Sequence, residues 1–324
     1  MRKAGIITAS LLIATPLTLF AGQAAADEPT CYGRAATITG SGNITGTPDD
    51  DVIIGSADAD VIDGAGGNDR ICGLGGADTI EGGLGDDRVN GGLDNDLLVG
   101  DVYEEGASAV GGANDLIGGG PGVDFMVGDS YALRGALDID VDATGGGDDV
   151  LRGGPDADAV VGDSSGTTAT GAGDDTIHSG PGMETDGSLE LVVGDSYCGD
   201  SCIGGGGDDS IQLGTDGGVW AAGDHVGNRT TTFEGDGNDF IVGGVGHPVG
   251  EMLFGDNVVL GVVGQALPSP AAGAGNDILR GRTGVDALFG QGGTDRLNGG
   301  AEEDGCDTEA GIDIAISCEI LIVP

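Results

Sequence analysis

The sequence predicts an all-β solenoid in which short strands stack on one another, and three observations support this prediction. First, residues 46–99 divide into six consecutive nine-residue units that align with each other without a gap. Second, 71 of the 324 residues are Gly and only 3% are aromatic, so a conventional thick hydrophobic core is not expected. Third, the six later insertions that follow a Gly-Asp pair all fall in alternate units, which a random distribution of loops would not do.

Each regular unit combines a turn with a short strand. The six units read GTPDDDVII, GSADADVID, GAGGNDRIC, GLGGADTIE, GGLGDDRVN and GGLDNDLLV. Position 1 is always Gly, position 6 is always Asp and position 8 is always aliphatic. The first six positions are rich in Gly, Asp and Asn, which turn the backbone, and the last three resemble a strand. A three-residue strand cannot bury itself, but stacked copies build a continuous thin core.

The Asp at position 6 is the candidate metal ligand. It lies in a turn beside Gly carbonyls that no side chain shields, and Ca²⁺ prefers such hard oxygen ligands. Asp is also common in solvated turns, but its recurrence in seventeen of twenty units favours calcium. The predicted ligands are Asp51, Asp60, Asp69, Asp78, Asp87, Asp96, Asp115, Asp124, Asp149, Asp158, Asp175, Asp209, Asp239, Asp277, Asp286 and Asp295.

Three of the units closely resemble a known repeat. GAGGNDRIC, GLGGADTIE and GGLGDDRVN match G-G-x-G-x-D-x-U-x, the motif of the RTX (haemolysin-type) calcium-binding nonapeptide repeat. The resemblance implies a right-handed parallel β-roll in which two nonapeptides form one coil and several Ca²⁺ ions lie between turns of successive coils. Twenty units counted from Gly46 would then form about ten coils.

Six insertions interrupt the later units, and each begins after a Gly-Asp pair. They cover residues 102–112, 130–146, 164–172, 196–206, 225–236 and 257–274, and all fall in odd-numbered units. If two units form a coil, the six insertions emerge from one edge of the roll. Residues 137–142 alternate apolar and acidic side chains, so the insertions are expected to form either a small accessory sheet or mobile surface loops.

The Asp of each Gly-Asp pair has two possible roles, as an additional ligand or as the first residue of a loop. These residues are Asp101, Asp129, Asp163, Asp195, Asp224 and Asp256. The two edges also differ at position 6. Odd units keep Asp in every coil, whereas even units carry Glu190, Val219 and Glu251 in the middle of the chain. The prediction of calcium sites on the even edge therefore does not extend to residues between about 180 and 255.

The chain is expected to begin with a secretory signal peptide over residues 1–26, cleaved after Ala26. Arg2 and Lys3 precede an apolar run that ends in small residues and is short for a membrane anchor. The predicted organisation continues with an N-terminal cap (27–45), regular repeats (46–99), repeats with insertions (100–298) and a C-terminal cap (299–324). The protein is thus expected to be secreted and extracellular.

Charge and cysteine content fit this location. Without the signal peptide the chain has 9 Arg, no Lys and 55 acidic residues, a formal charge of −46, which disfavours nucleic acid and anionic membranes as partners. Six Cys in an exported chain suggest disulfides. Of the fifteen possible pairings we favour Cys31–Cys72, Cys198–Cys202 and Cys306–Cys318. Cys306, Cys318 and the apolar residues 320–323 are expected to close the end of the core.

The sequence contains no recognisable catalytic arrangement. HExxH and GxSxG motifs are absent, and His178, His225 and His247 are not placed next to Cys. We therefore predict a secreted calcium-binding β-roll with a structural or interaction role and no enzyme activity. Its expected partners are calcium ions and a cell-surface, glycan or protein ligand bound through the inserted loops, without membrane insertion. The alternative is a polysaccharide-active enzyme, or a carbohydrate or surface adhesin, that uses these loops.

Overall fold

The computed structural model describes residues 29–133, 141–181, 190–203, 205–215, 219–228, 232–233, 237–245, 250–260, 266–268, 275–308 and 310–322. The regular secondary structure of these residues consists of strands, and two twelve-stranded sheets account for most of it. No helix capable of crossing a membrane occurs in the part of the chain that the structure describes. The predicted signal peptide and His247 lie outside the described residues.

One large sheet contains the strands of the odd units, and we call it the odd sheet. Each strand pairs in parallel with the strand of the next coil, for example Ile71 with Val89, so equivalent positions of successive units lie in register. The strands are Ile38–Thr39, Val52–Ile54, Arg70–Gly75, Arg88–Leu93, Leu116–Gly118, Val150–Arg152, Thr176–Gly180, Ser210–Leu213, Phe240–Val242, Ile278–Thr283, Arg296–Ala301 and Ile314–Ile316.

The other large sheet contains the strands of the even units, and we call it the even sheet. Its strands are also parallel and in register, as Leu98 and Met126 show. They are Asn43–Thr45, Val61–Asp63, Thr79–Glu81, Leu97–Val99, Phe125–Val127, Ala159–Val161, Leu191–Val193, Trp220–Ala222, Met252–Phe254, Ala287–Phe289, Gly305–Asp307 and Ile320–Ile322. Consecutive units therefore alternate between the two sheets, and two units form one coil.

The core of the roll is a narrow column of position-8 side chains between the two sheets. Ile71, Ile117 and Ile177 point inward from the odd sheet and Leu98 and Met126 from the even sheet, and all five are fully buried. Each such side chain contributes about 1.5–3 kcal/mol by burial, but one coil supplies only two of them. Stability therefore depends on stacking many coils.

Both sheets extend beyond the twenty units. Ile38–Thr39 and Asn43–Thr45 pair with the first regular coil, and Ile314–Ile316 and Ile320–Ile322 pair with the last. The roll therefore has twelve coils rather than the expected ten or so. Strand pairing needs only a short extended segment at the position of the next coil. The sheets therefore continue into segments that lack the full turn motif.

The C-terminal end of the roll remains open. Leu321, at position 8 of the last strand, is 52% exposed because no further coil covers it. Cys306 is fully buried at the end of the core and Cys318 packs against it, so the two Cys close the column as expected, whereas Ile320 and Leu321 remain about half exposed.

The insertions form a third sheet of ten strands, which we call the insert sheet. The accessory-sheet alternative is thus observed for the described part of the insertions. Its strands are Tyr103–Glu105, Ala109–Val110, Tyr131–Leu133, Asp142–Thr144, Ser165–Thr170, Tyr197–Cys202, Val226–Asn228, Thr232–Phe233, Val258–Leu260 and Ala266–Pro268. Successive insertions begin one coil apart on the same edge, so their backbones lie at the spacing that parallel strands require.

The insert sheet packs against the outer face of the even sheet. Val127, Val161 and Val193 point outward from the even sheet at position 9, and they form a second hydrophobic cluster with Val226 and Val258 of the insert sheet. All five side chains are at most 2% exposed. The insertions are therefore an integral layer of the protein and not separate surface loops.

Two short strand pairs and three disulfides complete the fold. Thr30–Cys31 pairs with Arg34–Ala35 in an antiparallel hairpin, and Gly292–Gly293 pairs with Ala310–Gly311 in parallel. The favoured disulfide pairing is confirmed, because the bonds are Cys31–Cys72, Cys198–Cys202 and Cys306–Cys318.

Candidate metal centre

The position-6 Asp residues form one column of buried carboxylates along each edge of the roll. Within a column the backbone N–H of each Asp donates to Oδ1 of the Asp in the next coil, as from Asp69 to Asp87 and from Asp149 to Asp175, both at 2.7 Å. The odd column contains Asp51, Asp69, Asp87, Asp115, Asp149, Asp175, Asp209, Asp239, Asp277 and Asp295. The even column contains Asp60, Asp78, Asp96, Asp124, Asp158, Asp286 and Asp304.

The second carboxylate oxygen of most column residues is buried without a hydrogen-bond partner. This holds for Oδ2 of Asp69, Asp78, Asp87, Asp96, Asp115, Asp124, Asp149, Asp158, Asp175, Asp209, Asp239, Asp277, Asp286, Asp295 and Asp304. A buried carboxylate oxygen without a partner is strongly destabilising. Its repetition in both columns indicates that a positively charged ligand is needed there.

Backbone oxygens surround the same space. A Cβ placed on Gly162, at position 1, would lie 1.7 Å from the carbonyl oxygen of Gly194 and 1.9 Å from Oδ2 of Asp175. Only Gly therefore fits at this position, and its small size lets carbonyl and carboxylate oxygens approach each other. Among the described residues, no group of three or more His, Cys, Asp or Glu side chains is arranged to hold a metal. The donor set is thus carboxylate plus backbone carbonyl, which fits Ca²⁺ and not Zn²⁺.

The comparison with protein families agrees with this donor set. The family model of the RTX calcium-binding nonapeptide repeat (4 copies) matches residues 38–71, 45–80, 73–102, 139–165, 169–182, 235–248 and 272–305. The chain contains RTX calcium-binding nonapeptide repeats along its length. These repeats bind Ca²⁺ in multiple turns, and the stacked parallel sheets are the β-roll that the sequence predicts. A search of curated proteins and a search of solved structures each returned no match.

Burial makes the RTX carboxylates difficult to ionise when no cation neutralises them. It raises the pKa of Asp69 to about 6, that of Asp96 to about 7 and that of Asp87 to about 8. For Asp115, burial and the charge of Asp149 raise the pKa to about 10. The neighbouring carboxylates add to each shift because every Asp lies above another of the same charge.

The first RTX turn on each edge differs from the others. Asp51 accepts hydrogen bonds at 2.8 Å from the hydroxyls of Thr37 and Thr47, which outweigh burial and lower its pKa. Oδ2 of Asp60 likewise accepts from the backbone N–H and the hydroxyl of Ser56, at 2.7 and 3.0 Å. Protein hydroxyls thus occupy carboxylate oxygens that remain without partners in the later turns.

The stretch of the even column without carboxylates is shorter than the sequence suggested. Glu251 takes the position of an Asp, because its backbone N–H donates to Oδ1 of Asp286 at 3.0 Å and its own Oε2 is buried without a hydrogen-bond partner. Burial and Asp286 raise the pKa of Glu251 to about 9. Glu190 is also buried, so Val219 is the position in this stretch that supplies no carboxylate.

Two acidic residues near the C-terminus extend the columns and were not among the predicted ligands. The backbone N–H of Asp295 donates to Asp313, and that of Asp304 donates to Glu319, both at 3.0 Å. The sequence does indicate Asp313. It lies 18 residues after Asp295, and each of the two residues directly precedes a strand. The turns before Asp313 and Glu319 lack the Gly-rich motif, so a search for that motif does not identify either residue as a ligand.

The two described His residues do not form a nucleophilic site. His178 is exposed on the odd sheet, whereas His225 is fully buried and its Nδ1 accepts a hydrogen bond from the backbone N–H of Ser196 at 3.2 Å. All six Cys form disulfides, so no thiol is available to either His.

We expect Gly162→Ala to disrupt both coil stacking and calcium binding, because its Cβ would overlap the oxygens of Gly194 and Asp175. The loss of stability in saturating calcium should be about 1–3 kcal/mol, as for other overpacked sites. Far-UV circular dichroism during calcium titration and urea unfolding measures both effects. Gly205→Ala is the matched control, because no atom lies within 4 Å of its added Cβ. Equal behaviour of the two variants would contradict the proposed crowding.

The raised carboxyl pKa values also predict the pH dependence of the calcium-free roll. Folding takes up protons, so this stabilisation is fully present below the unfolded pKa of about 3.8 and is lost as pH rises through about 6 to 8, the folded values of Asp69 and Asp87. Calcium-stripped protein should therefore resist urea more strongly at about pH 4.5 than at about pH 8.5. Calcium affinity should change in the opposite direction, because protons compete for the same oxygens. Greater stability of the stripped protein at the higher pH would refute this account.

Proposed function

We propose that this protein is a secreted, calcium-dependent binding protein in which the RTX roll is the scaffold and the insert sheet carries the ligand-binding surface. The observation that supports it best is a cavity of about 570 Å³ between the insert sheet and the even sheet, which we call the slot. Its lining includes Phe125, Tyr131, Ala159, Ser165, Leu191 and Tyr197. It lies where a variable layer meets a repetitive one, the usual arrangement for recognition on a repeat scaffold.

Small residues at one level of the stack create the slot. In the insert sheet, Ser165 pairs with Tyr131 on one side and with Tyr197 on the other. In the even sheet, Ala159 lies in the same way between larger residues, Phe125 and Leu191. Both walls are thus recessed at the same coil, and the gap between Tyr131 and Tyr197 spans two strand spacings, or about 9.6 Å.

The slot has the chemistry of a carbohydrate site. The ring of Tyr131 is supported by stacking on Tyr103, with centroids 5.4 Å apart and planes 23° apart. A gap of about 9.6 Å between two aromatic walls admits one sugar ring, whose apolar face packs on an aromatic surface. Thr167 and Asp200 also line the slot, so its wall combines aromatic and polar residues, as a carbohydrate site requires. We therefore propose a glycan as the ligand.

A binding role fits the slot better than hydrolysis does. Most glycoside hydrolases need two carboxylates on either side of the bond that is cleaved. Among the described residues that line the slot, Asp200 is the only acidic one. The carboxylates of the RTX columns are buried in the roll and do not line the slot. This favours an adhesin-like protein over a polysaccharide-active enzyme.

Removing either aromatic wall should weaken glycan binding. We expect Tyr131→Ala and Tyr197→Ala each to lower affinity at least about tenfold, which corresponds to about 1.4 kcal/mol, in a glycan array followed by calorimetry in calcium. Phe240→Ala is the control, because it removes an aromatic ring from the odd sheet, outside the slot. Circular dichroism in calcium verifies folding of each variant. The proposal fails if both slot variants bind as the wild type does, or if the wild type binds no glycan.

Export is the second part of the proposal. The charged and apolar pattern of residues 1–26 supports it, and so do three disulfides, which form in oxidising compartments. When the full chain is expressed in a bacterium, the exported protein should begin at Asp27 by N-terminal sequencing. A variant with Arg2 and Lys3 both changed to Glu should remain in the cell. Retention of the unprocessed wild type inside the cell would argue against export by this route.

A further inference from the structure

The Asp residues of the Gly-Asp pairs form a third carboxylate column. Asp101, Asp129, Asp163, Asp195, Asp224 and Asp256 are all fully buried at the bases of the insertions. Their backbones follow one another along the stack, because the N–H of Asp129 donates to the carbonyl of Asp163, and that of Asp163 to Asp195, both at 3.0 Å. We call this set the Gly-Asp column.

One oxygen of each carboxylate closes the base of an insertion. Oδ2 of Asp129 accepts the backbone N–H of Gly147 at 2.9 Å, and Oδ2 of Asp163 accepts that of Gly173 at 3.2 Å. These amides belong to the first residue after each insertion, so the hydrogen bond joins the two ends of the inserted segment. An uncharged Asn would accept the same hydrogen bond. Closure of the insertions alone therefore does not explain why all six positions carry Asp and not Asn.

In the first three insertions the other carboxylate oxygen accepts no hydrogen bond from a backbone amide or a hydroxyl group. Oδ1 of Asp101, Asp129 and Asp163 is buried, and carboxyl groups of the same column lie beside these residues, Asp129 beside Asp101 and Asp195 beside Asp163. A Cβ added to Gly173 would lie 1.7 Å from the carbonyl oxygen of Gly147 and 3.0 Å from Oδ1 of Asp163. These carboxylate oxygens therefore lie in the same environment of backbone carbonyls as the RTX carboxylates.

The Gly-Asp column faces the odd column of RTX carboxylates. A Cβ added to Gly275 would lie 2.9 Å from Oδ1 of Asp277 in the odd column and 3.1 Å from Oδ1 of Asp256 in the Gly-Asp column. In agreement with this geometry, the charges of Asp149 and Asp163 both act on Asp129. An inserted coil thus buries two carboxylates on this edge, where a regular coil buries one. Two carboxylates neutralise one divalent cation, and calcium affinity rises with the number of charged ligands.

We propose that calcium in the inserted coils is bound by carboxylates of both columns, so that the insertion-bearing edge holds a tighter class of calcium site than the regular turns. This inference rests on calcium binding by the RTX turns and adds the Gly-Asp residues as ligands. One consequence is that calcium joins the insert sheet to the roll directly. When the calcium concentration falls, the regular turns lose their ions first, and the sites at the base of the insert sheet lose theirs last.

Replacing one Gly-Asp carboxylate by its amide tests the proposal. Asp163→Asn keeps an acceptor for the N–H of Gly173 but removes the charge. Asp175→Asn changes the RTX carboxylate that lies beside it in the odd column. The matched control is Asp174→Asn, because Asp174 is exposed and its Oδ1 accepts the N–H of Asp208 at 3.0 Å. Equilibrium dialysis counts bound calcium, and competition with a chelating dye measures the affinity of each class.

We expect two affinity classes in the wild type. Asp163→Asn and Asp175→Asn should each remove at least one ion from the tight class or weaken that class about tenfold, while Asp174→Asn should bind as the wild type does. If Asp163→Asn binds normally and Asp175→Asn does not, the Gly-Asp residues only close the insertions and the proposal is overturned. If neither variant changes calcium binding, the assignment of the odd-column carboxylates as calcium ligands is wrong, and the proposal is overturned with it.

If Asp163→Asn or Asp175→Asn does not fold, two further measurements still test the proposal. Asp101→Asn changes the first insertion, whose neighbour on one side is a regular coil. The calcium titration of the wild type needs no variant at all. A single affinity class in the wild type overturns the proposal by itself.

Discussion

The roll depends on neutralising the carboxylates that its own coils bury. Stacking brings each position-6 Asp above an identical residue. One oxygen of Asp149 or Asp175 accepts a backbone N–H, while the other has no hydrogen bond. The aliphatic core between the sheets is only two side chains wide, so it opposes this repulsion weakly. Divalent cations at the turns change the same columns from a source of repulsion into a link between coils. Folding and calcium binding are therefore closely coupled in this architecture.

The asymmetry between the edges follows from the same constraint. The odd column keeps an Asp in every coil from Asp51 to Asp313, and this is the edge from which the insertions leave the roll. The even column loses its carboxylate at Val219. An insertion moves the two ends of a turn apart, and the Gly-Asp carboxylates rejoin them through the amides of Gly147 and Gly173. A continuous column of carboxylates beneath the insertions gives the insert sheet a base with a regular spacing.

The insert sheet adds a conventional hydrophobic layer to a protein that has little hydrophobic core elsewhere. Val127, Val161 and Val193 of the even sheet pack against Val226 and Val258, and this cluster is separate from the core of the roll. Because both layers have the same coil spacing, the small residues Ser165 and Ala159 lie at the same level, and each recesses its own wall of the slot. A repetitive scaffold can thus position a single cavity at a chosen height along its length.

The sequence alone determined the features that depend on local spacing. The period of nine specified the columns of position-6 carboxylates, the alternation of units between two sheets and the shared edge of the insertions. The disulfide pairing favoured among the fifteen possible ones is the observed pairing. Only the tertiary structure decided the features that depend on contacts between coils. The extra coil at each end, the protein hydroxyls on Asp51 and Asp60, and the slot between Tyr131 and Tyr197 belong to this group. The physical reason is that insertions of unequal length separate stacked residues by different numbers of positions, so neighbours such as Tyr131, Ser165 and Tyr197 share no spacing that a sequence pattern reveals.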